Sequence, residues 1–493
     1  MTSTNPPGPD PDRNEPTASG GGALDPLTQL LRDMEGTGTP DATTPSTGTA
    51  SDEAAAGSDS STEEVPAGAT SGVRIDTTPP PPAAADATKS GRKRRHRLRN
   101  APRWVKITAA IVVVILLIPT VSFVKAVATP NNLSFTERGA EWMRDNGLGG
   151  VLNTIEGWWL SNNQPKEGGE PDREIGTYES GNAGPTTTVK VIAPHLPKPA
   201  NVQVPEGVTP VANEGVWQPV GPLIGGAQSM YTTQVRPDSI HTSILDGLVW
   251  MDPKLVSFEQ FPGTEEPGGR WDKPSQVPMD RRLELLAAFN SGFRMQDARG
   301  GFYMDGVMRK DLRDGAASMV IYKDGTASIG MWGRDFTMSD RIASVRQNLD
   351  LIIDNGGGPP NPGGVPAATA APGVPAPGLS DNSDGAWGAT FGNKILAWRS
   401  AVGVTADGAI VYGYGDGLGA LSLAQLMLRA GCVRAMEMDI NTVWTTFNFY
   451  SATQFLDPAS VQGTKLLPES FKGANRYLSP DARDFVGVFA RKI

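Results

Sequence analysis

Cysteine and histidine are scarce in this chain of 493 residues, which contains one cysteine, Cys432, and three histidines, His96, His195 and His241. A single cysteine excludes an intramolecular disulfide, and with it the disulfide scaffold of many small secreted modules. It also excludes structural zinc sites built from four cysteines or from two cysteines and two histidines. A Ser-His-Asp triad downstream of the basic segment could draw only on His195 or His241, and no G-x-S-x-G motif supports one. We therefore predict no metal site, and no residue pattern points to a particular cofactor.

Aromatic residues are absent from residues 1–90, which are rich in Pro, Gly, Ser, Thr, Ala and Asp. Such a segment buries too little apolar surface to offset the entropy lost on ordering, so we predict a disordered cytoplasmic tail. Its Leu-rich piece, Leu24–Met34, is a candidate short helix for a cytoplasmic partner. A second biased stretch, residues 356–380, is almost all Gly, Pro, Ala and Val, which is typical of a flexible insertion between strands.

Charged residues are also absent from the apolar run 107–124, which lies between Lys106 and Lys125. A membrane-spanning helix needs roughly 17–25 residues, and we place one at 104–128. The preceding segment 91–103 is strongly basic, and the positive-inside rule puts it in the cytoplasm. We therefore predict a single-pass protein of the cell membrane, with the N-terminus in the cytoplasm and the C-terminal part outside.

Two other interpretations of the apolar run fit less well. A cleaved signal peptide spans roughly 15–30 residues at the N-terminus, whereas about ninety residues precede this basic segment. A buried core helix rarely holds so long an uninterrupted apolar run flanked by lysines. An uncleaved signal-anchor is the interpretation that these features favour.

Beyond the apolar run, residues 129–180 are predicted to form a stem. Between residues 132 and 163 the Phe, Leu, Val and Trp residues have helical spacing, which indicates an amphipathic stretch on either the membrane surface or the folded domain. The extracytoplasmic domain is placed at 181–493. Nucleic-acid binding is not expected there, because basic and aromatic residues are not interleaved.

Short β-rich runs separated by Gly, Pro and Asp turns predict an α+β fold with a mainly antiparallel or mixed sheet and few helices. A parallel sheet of the Rossmann type would need helices that alternate regularly with strands. One helix is obvious, Ser422–Ala430, with Ser422 as N-cap and Gly431 as C′ residue. The predicted strands are Thr188–Ile192, Met230–Val235, Gly247–Met251, Leu255–Phe261, Leu283–Phe289, Ser318–Tyr322, Ala327–Met331, Leu349–Ile353, Ile395–Trp398, Ala409–Tyr414, Arg434–Met438 and Phe485–Phe489.

Polar motifs follow or begin several of these runs. One run ends in Asn290-Ser291-Gly292-Phe293, and a later one reads Arg399-Ser400-Ala401-Val402-Gly403. An Asp-Gly turn, the helix, a glycine and a strand ending in Met438-Asp439 come next. In order and spacing, residues 215–490 resemble the phosphodiester glycosidase family, whose members carry Asn-Gly-Gly-Phe, an Arg-Thr-Ala-Ile-Gly-like strand and Leu-Asp-Gly-Gly-Gly-Ser. Here the last motif continues as Ile440-Asn441 and lacks the glycines.

The resemblance implies a hydrolase that acts on a sugar phosphodiester or on a polysaccharide of the cell envelope. Glycosidic cleavage commonly uses one carboxylic acid to protonate the leaving group and one carboxylate to assist attack. Asp305, Asp416 and Asp439 each lie near the end of an apolar run and are the candidate catalytic residues. Asp305 and Asp416 are followed by glycine, so a turn role is the alternative for both.

The candidate substrate-binding residues are Arg399, Asn290, Gly292 and Asn441. An arginine can hold two phosphate oxygens at once, although Arg399 could instead be a surface residue or pair with Glu437. Asn290 can hydrogen-bond a sugar hydroxyl. Gly292 and Asn441 are assigned through the matched motifs.

Three functions stay open at this point: a membrane-anchored glycosidase, a non-catalytic binding or scaffolding protein on the same fold, and a signalling or assembly component that senses polysaccharide outside the membrane. We expect the five polar candidates to converge on one cleft, because strands that end in polar residues share one pole of a sheet. These five are Asn290, Asp305, Arg399, Asp416 and Asp439.

Overall fold

A computed structural model describes residues 102–128, 131–176, 193–357, 371–380, 386–388 and 396–492. The predicted tail, the basic segment up to Ala101, the predicted strand Thr188–Ile192 and the middle of the 356–380 insertion lie outside these ranges. The described end of that insertion includes a short strand, Val374–Pro375, and a buried Leu379.

Helix α1 spans Arg103–Ala128 and contains Pro119. Its 26 residues correspond to about 39 Å of helix. By length and composition it could cross a membrane, and it is the one such helix among the described residues. This agrees with the apolar helix predicted from the sequence.

The described residues after α1 form mostly β-structure. In chain order the strands are β1 (Gln218–Ile224), β2 (Ala227–Val235), β3 (Asp246–Met251), β4 (Val256–Phe261), β5 (Leu285–Asn290), β6 (Phe302–Met304), β7 (Val307–Lys310), β8 (Ala317–Tyr322), β9 (Ala327–Met331), β10 (Ile342–Gln347), β11 (Leu351–Asp354), β12 (Val374–Pro375), β13 (Ala397–Thr405), β14 (Ile410–Leu418), β15 (Cys432–Ile440), β16 (Phe447–Ala452), β17 (Val461–Lys465) and β18 (Phe485–Ala490).

These strands make three sheets. The largest has eight strands in the order β1-β2-β3-β14-β13-β15-β11-β12, and the others have five each, β7-β6-β10-β8-β9 and β17-β16-β5-β18-β4. Neighbouring strands in all three are antiparallel. The prediction of a mainly antiparallel fold with few helices is confirmed.

The main core lies where the three sheets face one another, and it includes Val249 and Met436 from the first sheet, Met319 from the second and Phe289 and Val488 from the third. A second core packs the other face of the eight-stranded sheet against helix α4.

Helix α4 spans Ala420–Arg429. The predicted N-cap at Ser422 is wrong, because Gly419 caps the helix and the Ser422 hydroxyl, three positions later, accepts the Gly419 N–H at 2.9 Å. Gly431 follows with φ of +87°, as expected of a C′ residue.

The stem region contains two helices, α2 (Phe135–Asp145) and α3 (Gly149–Asn162). Ser134 and Glu137 form a capping box at the start of α2. The Glu137 carboxylate also forms an ion pair of 2.6 Å with Lys472, and the Glu141 carboxylate forms one of 3.1 Å with Arg294. The sequence left open whether this stretch lies on the membrane surface or on the folded domain, and the structure shows contact with the folded domain. A domain boundary at residue 181 would separate α2 from these contacts.

Candidate functional site

A cavity of about 560 Å³ lies between α3 and one end of the eight-stranded sheet. We call it the first cavity. One wall is the side of α3 that carries Gly149, Asn153, Glu156 and Leu160. The facing wall is formed by the ends of β13, β14 and β15 and by the loop that follows β5, and its polar members include Arg294, Asp416, Asp439, Asn441 and Arg483.

Asp439 lies at the end of β15 and is 6% exposed. Its Oδ1 accepts the Ile440 N–H at 2.8 Å, and the Ser400 hydroxyl bridges the Asp439 backbone N–H and carbonyl at 3.1 and 3.0 Å. Burial raises the pKa of Asp439 to about 7, although the positive charge of Arg483 opposes that rise. Near neutral pH the carboxyl can therefore give up or accept a proton, as a general acid or base must.

Arg483 is a buried cation in the wall of the same cavity, and its guanidinium lies 4.4 Å from the centre of the Trp444 ring. Within the part of the chain that the structure describes, its Nε and Nη1 have no hydrogen-bond partner. A buried guanidinium with unused donors is a ready site for an anionic group such as phosphate. The sequence analysis missed it. One signal was available: Arg483 lies two residues before the run Phe485–Phe489, which pairs with the strand that ends in Asn290.

Asp416 also faces the first cavity, from β14. Burial raises its pKa, while the Gly417 N–H, at 2.8 Å from Oδ1, and the Trp398 side chain hydrogen-bond the carboxylate and favour its charged form. The cavity thus holds a buried carboxyl group, that of Asp439, and a partly buried one, that of Asp416, on two strands that both flank β13.

Asp246 lies behind Asp416, at the start of β3, and sequence reasoning missed it too. It is fully buried, and within the described chain neither carboxylate oxygen has a hydrogen-bond partner. A Cβ at Gly415 would lie 1.8 Å from Asp246 Oδ1, so only glycine fits there. Burial, and then the negative charge of Asp416, raises the pKa of Asp246 well above its usual range.

Asn290 is 3% exposed and lies beneath the cavity, outside its lining. Its Nδ2 donates to the Ser400 hydroxyl at 3.1 Å, and its Oδ1 accepts the Tyr412 hydroxyl at 2.5 Å. Since Ser400 holds the backbone of Asp439, Asn290 supports the site from below. The contact of Asn290 with a sugar stays a prediction.

Gly292 has a packing role. A Cβ there would lie 2.9 Å from Asn348 Cγ, and Asn348 in turn donates to the carbonyls of Glu437 and Met438 at 2.9 and 2.8 Å. The glycine therefore lets Asn348 brace the strand that carries Asp439.

Of the roles that the sequence left open for Arg399, the structure shows the pair with Glu437. Arg399 Nη1 makes a buried ion pair of 2.5 Å with Glu437, and its Nε donates to the Leu418 carbonyl at 3.0 Å. Neither Arg399 nor Glu437 lines the first cavity. The Arg399 backbone lies opposite Ile440 in the β13–β15 pairing, so Arg399 is near Asp439 along the sheet. Its side-chain donors, however, bind Glu437 and the Leu418 carbonyl.

Asp305 lies apart from the other candidates, in the turn between β6 and β7, with φ of +49°. Its side chain is 53% exposed and lies 3.3 Å from Lys273. Both residues line a second cavity of about 640 Å³. The expected convergence of five residues on one cleft is therefore wrong: Asp416 and Asp439 line the first cavity, whereas Asn290, Arg399 and Asp305 do not. For Asp305 the turn interpretation holds.

Asn441 does line the first cavity. Its φ is +93°, a backbone conformation that asparagine tolerates better than most residues. Its Oδ1 accepts the Val443 N–H at 2.9 Å, and its own N–H donates to the Trp398 carbonyl. Asn441 thus shapes the turn after Asp439. Among the described residues, no group of three or more His, Cys, Asp or Glu side chains is placed to hold a metal ion.

No family model and no curated protein matches this chain. Among solved structures, the catalytic domain of zebrafish N-acetylglucosamine-1-phosphodiester alpha-N-acetylglucosaminidase, auto-inhibited by its pro-peptide, is 14% identical with a TM-score of 0.32 and covers 53% of this chain and 82% of its own. A hypothetical protein from Synechocystis is 12% identical with a TM-score of 0.29, and the match covers 56% of this chain and 64% of that protein. An exported protein from Burkholderia pseudomallei is 14% identical with a TM-score of 0.27, and the match covers 50% of this chain and 74% of that protein. These values describe a distant likeness, and no activity follows from them.

Proposed function

We propose that this chain is a membrane-anchored, extracytoplasmic hydrolase that cleaves the glycosidic bond of a sugar phosphodiester or of an envelope polysaccharide in the first cavity. One observation carries the proposal: Asp439 and Arg483 lie in the same cavity wall. Asp439 is a buried carboxyl with a pKa of about 7, and Arg483 is a buried guanidinium whose Nε and Nη1 have no hydrogen-bond partner in the described chain. The motif resemblance in the sequence agrees with it. The outward orientation of the domain rests on the basic segment that precedes the apolar helix.

In the proposed reaction, Asp439 donates a proton to the oxygen that leaves the anomeric carbon, and Asp416 assists the water that attacks it. The C–O bond to the leaving group breaks, and the water supplies the new hydroxyl of the sugar and one proton. Arg483 binds the phosphate and balances the charge that grows on it as the bond breaks. Asn290 and Ser400 act as positioning residues that hold the Asp439 backbone.

The test is an activity screen of the full-length protein in lipid nanodiscs on sugar-1-phosphodiesters and aryl glycosides. Asp439→Asn should lower turnover on the order of 10²–10⁴-fold, the range typical of a lost general acid. Asp305→Asn is the matched control, because it removes the same charge from a carboxylate outside the first cavity, and it should leave turnover unchanged. Equal activity of the two variants would reject the assignment.

One observation favours a second function, non-catalytic binding of the same ligands. Ile440, which lines the cavity, fills space where the resembled family has a glycine, and a Cβ at Gly388 would lie 2.8 Å from its Cδ1. An isoleucine cannot let backbone amides approach a ligand as closely as glycine does. Calorimetric binding of a sugar phosphodiester without turnover in the same screen would identify this function, and weaker binding by Arg483→Met would place it in the first cavity.

A further inference from the structure

Helix α3 has two different sides. The side toward the first cavity carries Gly149, Asn153, Glu156 and Leu160, three or four residues apart. A second stripe with the same spacing is apolar and includes Leu148, just before the helix, and Val151, Ile155 and Trp158. At 100° per residue the two stripes lie on nearly opposite sides of the helix.

Most of the apolar stripe is exposed in the described chain, and Ile155 within it is partly buried. Val151 is 53% and Trp158 60% exposed, and Phe135 at the start of α2 is 64% exposed. The two adjacent tryptophans of α3 show the contrast, because Trp159 lines the cavity while Trp158 points away from it. Exposed large apolar residues that cluster on one surface mark an interaction site more often than isolated ones do.

The chain itself indicates what covers this stripe. Helix α1 ends at Ala128, and by Asn131 the chain already belongs to the folded domain, since the Asn131 side chain donates to Glu265 at 2.8 Å and that of Asn132 to Asp481 at 2.5 Å. Three residue steps span at most about 11 Å. If α1 crosses the bilayer, the domain therefore begins within about 11 Å of the end of the membrane-spanning helix, and α2 and α3 are its first elements.

We infer that the exposed apolar stripe of α3 docks on the surface of the bilayer in which α1 is anchored. The inference rests on the proposed membrane anchoring. Tryptophan is enriched at the interface between headgroups and acyl chains, so Trp158 is suited to that position. The docked helix then separates the bilayer from the first cavity, so the catalytic wall lies about one helix diameter, roughly 10 Å, from the membrane surface.

A competing surface exists at the opposite end of the domain. Strand β16 begins beside Asn290 at the cavity end and runs away from it, and in the loop beyond its far end Phe455 is 92% and Leu456 69% exposed. These two residues are at least as exposed as Trp158 but are distant from α1 along the chain. They provide a matched control of the same chemical character.

The experiment uses the full chain in nanodiscs, with one new cysteine for each variant: Trp158→Cys, Phe455→Cys and Val113→Cys in α1. The native Cys432 is 2% exposed, so the unmodified chain should take up little label and serves as the blank. Each cysteine carries an environment-sensitive fluorophore, and lipids with a quencher near the headgroup or in the acyl chain report its depth.

The expected result is strong acyl-chain quenching at position 113, headgroup quenching at position 158 and neither at position 455. Quenching at 113 and not at 158 would overturn the docking while leaving the anchor intact. Quenching at 455 in place of 158 would assign docking to the opposite end. An unquenched probe at 113 would instead overturn the membrane anchoring on which the inference rests, while turnover in the screen above would be unaffected. Val151→Cys repeats the measurement on the same stripe should Trp158→Cys fold poorly.

Discussion

The two cavities are similar in volume and both are lined with charged residues, but their charges are used differently. In the second cavity the exposed or half-exposed groups are paired: Lys273 with Glu259 at 3.0 Å and with Asp305, and Arg281 with Glu259 at 3.1 Å. In the first cavity Asp439 is buried, and so is Arg483, whose Nε and Nη1 have no hydrogen-bond partner within the described chain. A buried charge without a partner destabilises a fold, so the presence of one in the first cavity indicates a function. The paired, exposed charges of the second cavity are ordinary surface ion pairs.

In ligand binding, the largest effect is expected for Arg483. Arg483→Met should weaken binding of a sugar-1-phosphodiester by about 2 kcal/mol or more, that is about thirtyfold, because a desolvated anion loses its cation. Arg281→Met, which removes the same charge from the second cavity, should change the affinity little. Calorimetry on the two full-length variants makes the comparison. If Arg281→Met weakens binding more, the ligand occupies the second cavity.

The pH dependence of protein stability should also distinguish the carboxyl group in the first cavity from that in the second. The carboxyl of Asp439 has a pKa of about 7 in the folded protein, against about 3.9 when unfolded, so below pH 4 both states hold the proton and above pH 7 neither does. Between these values the folded state binds more protons, so its stability falls as the pH rises, by up to about 4 kcal/mol in total. Asp439→Asn should flatten this dependence, and Asp305→Asn should not.

Thermal unfolding of the full-length variants at pH 5 and pH 8 measures the difference between them. Asp246 contributes a slope of the same sign, because burial also raises its pKa, and it does so equally in both variants. If the wild type and Asp439→Asn lose the same stability between the two pH values, Asp439 titrates near its ordinary pKa and is a poor candidate for a general acid.

The packing behind the first cavity should show a smaller effect. Gly415→Ala places a methyl group against Asp246 Oδ1, and overpacking of this kind typically costs about 1–3 kcal/mol of unfolding free energy. Gly473→Ala is the control, because a Cβ there meets nothing within 4 Å. Denaturant unfolding measures both. Equal midpoints would mean that Asp246 moves aside at little cost and does not hold Asp416 in place.

The sequence predicts the sheets better than it predicts the site. Buried strands such as β3 and β14 are apolar runs bounded by turn residues and were found within a few residues, whereas β1, with exposed Pro219 and Leu223, was missed. Asp246 was missed because Asp246-Gly247 has the pattern of a turn, yet both residues begin a central strand. Only tertiary neighbours reveal this difference.

The site residues show the same limit. Asp416 and Asp439 were found because they follow apolar runs, and the structure places both in the first cavity. Arg399 and Arg483 are both arginines beside strands, and the sequence cannot show that Glu437 takes up the donors of the first while those of the second stay unused. The chemistry of an arginine depends on its partners, and in this domain those partners come from distant parts of the chain.

The smallest effect is expected in the second cavity, where Asp305 forms an exposed ion pair with Lys273. Such pairs typically contribute about 0.2–1 kcal/mol, because water screens the charges and ordering two side chains costs entropy. Asp305→Asn and Lys273→Met should therefore each shift the unfolding free energy by less than about 1 kcal/mol, and the double variant should show a coupling no larger than that. A double-mutant cycle by denaturant unfolding at low and high salt measures this coupling, which should shrink as salt is added. A coupling of several kcal/mol that salt does not reduce would mean that this pair is as desolvated as the first cavity, and the contrast between the two cavities would lose its physical basis.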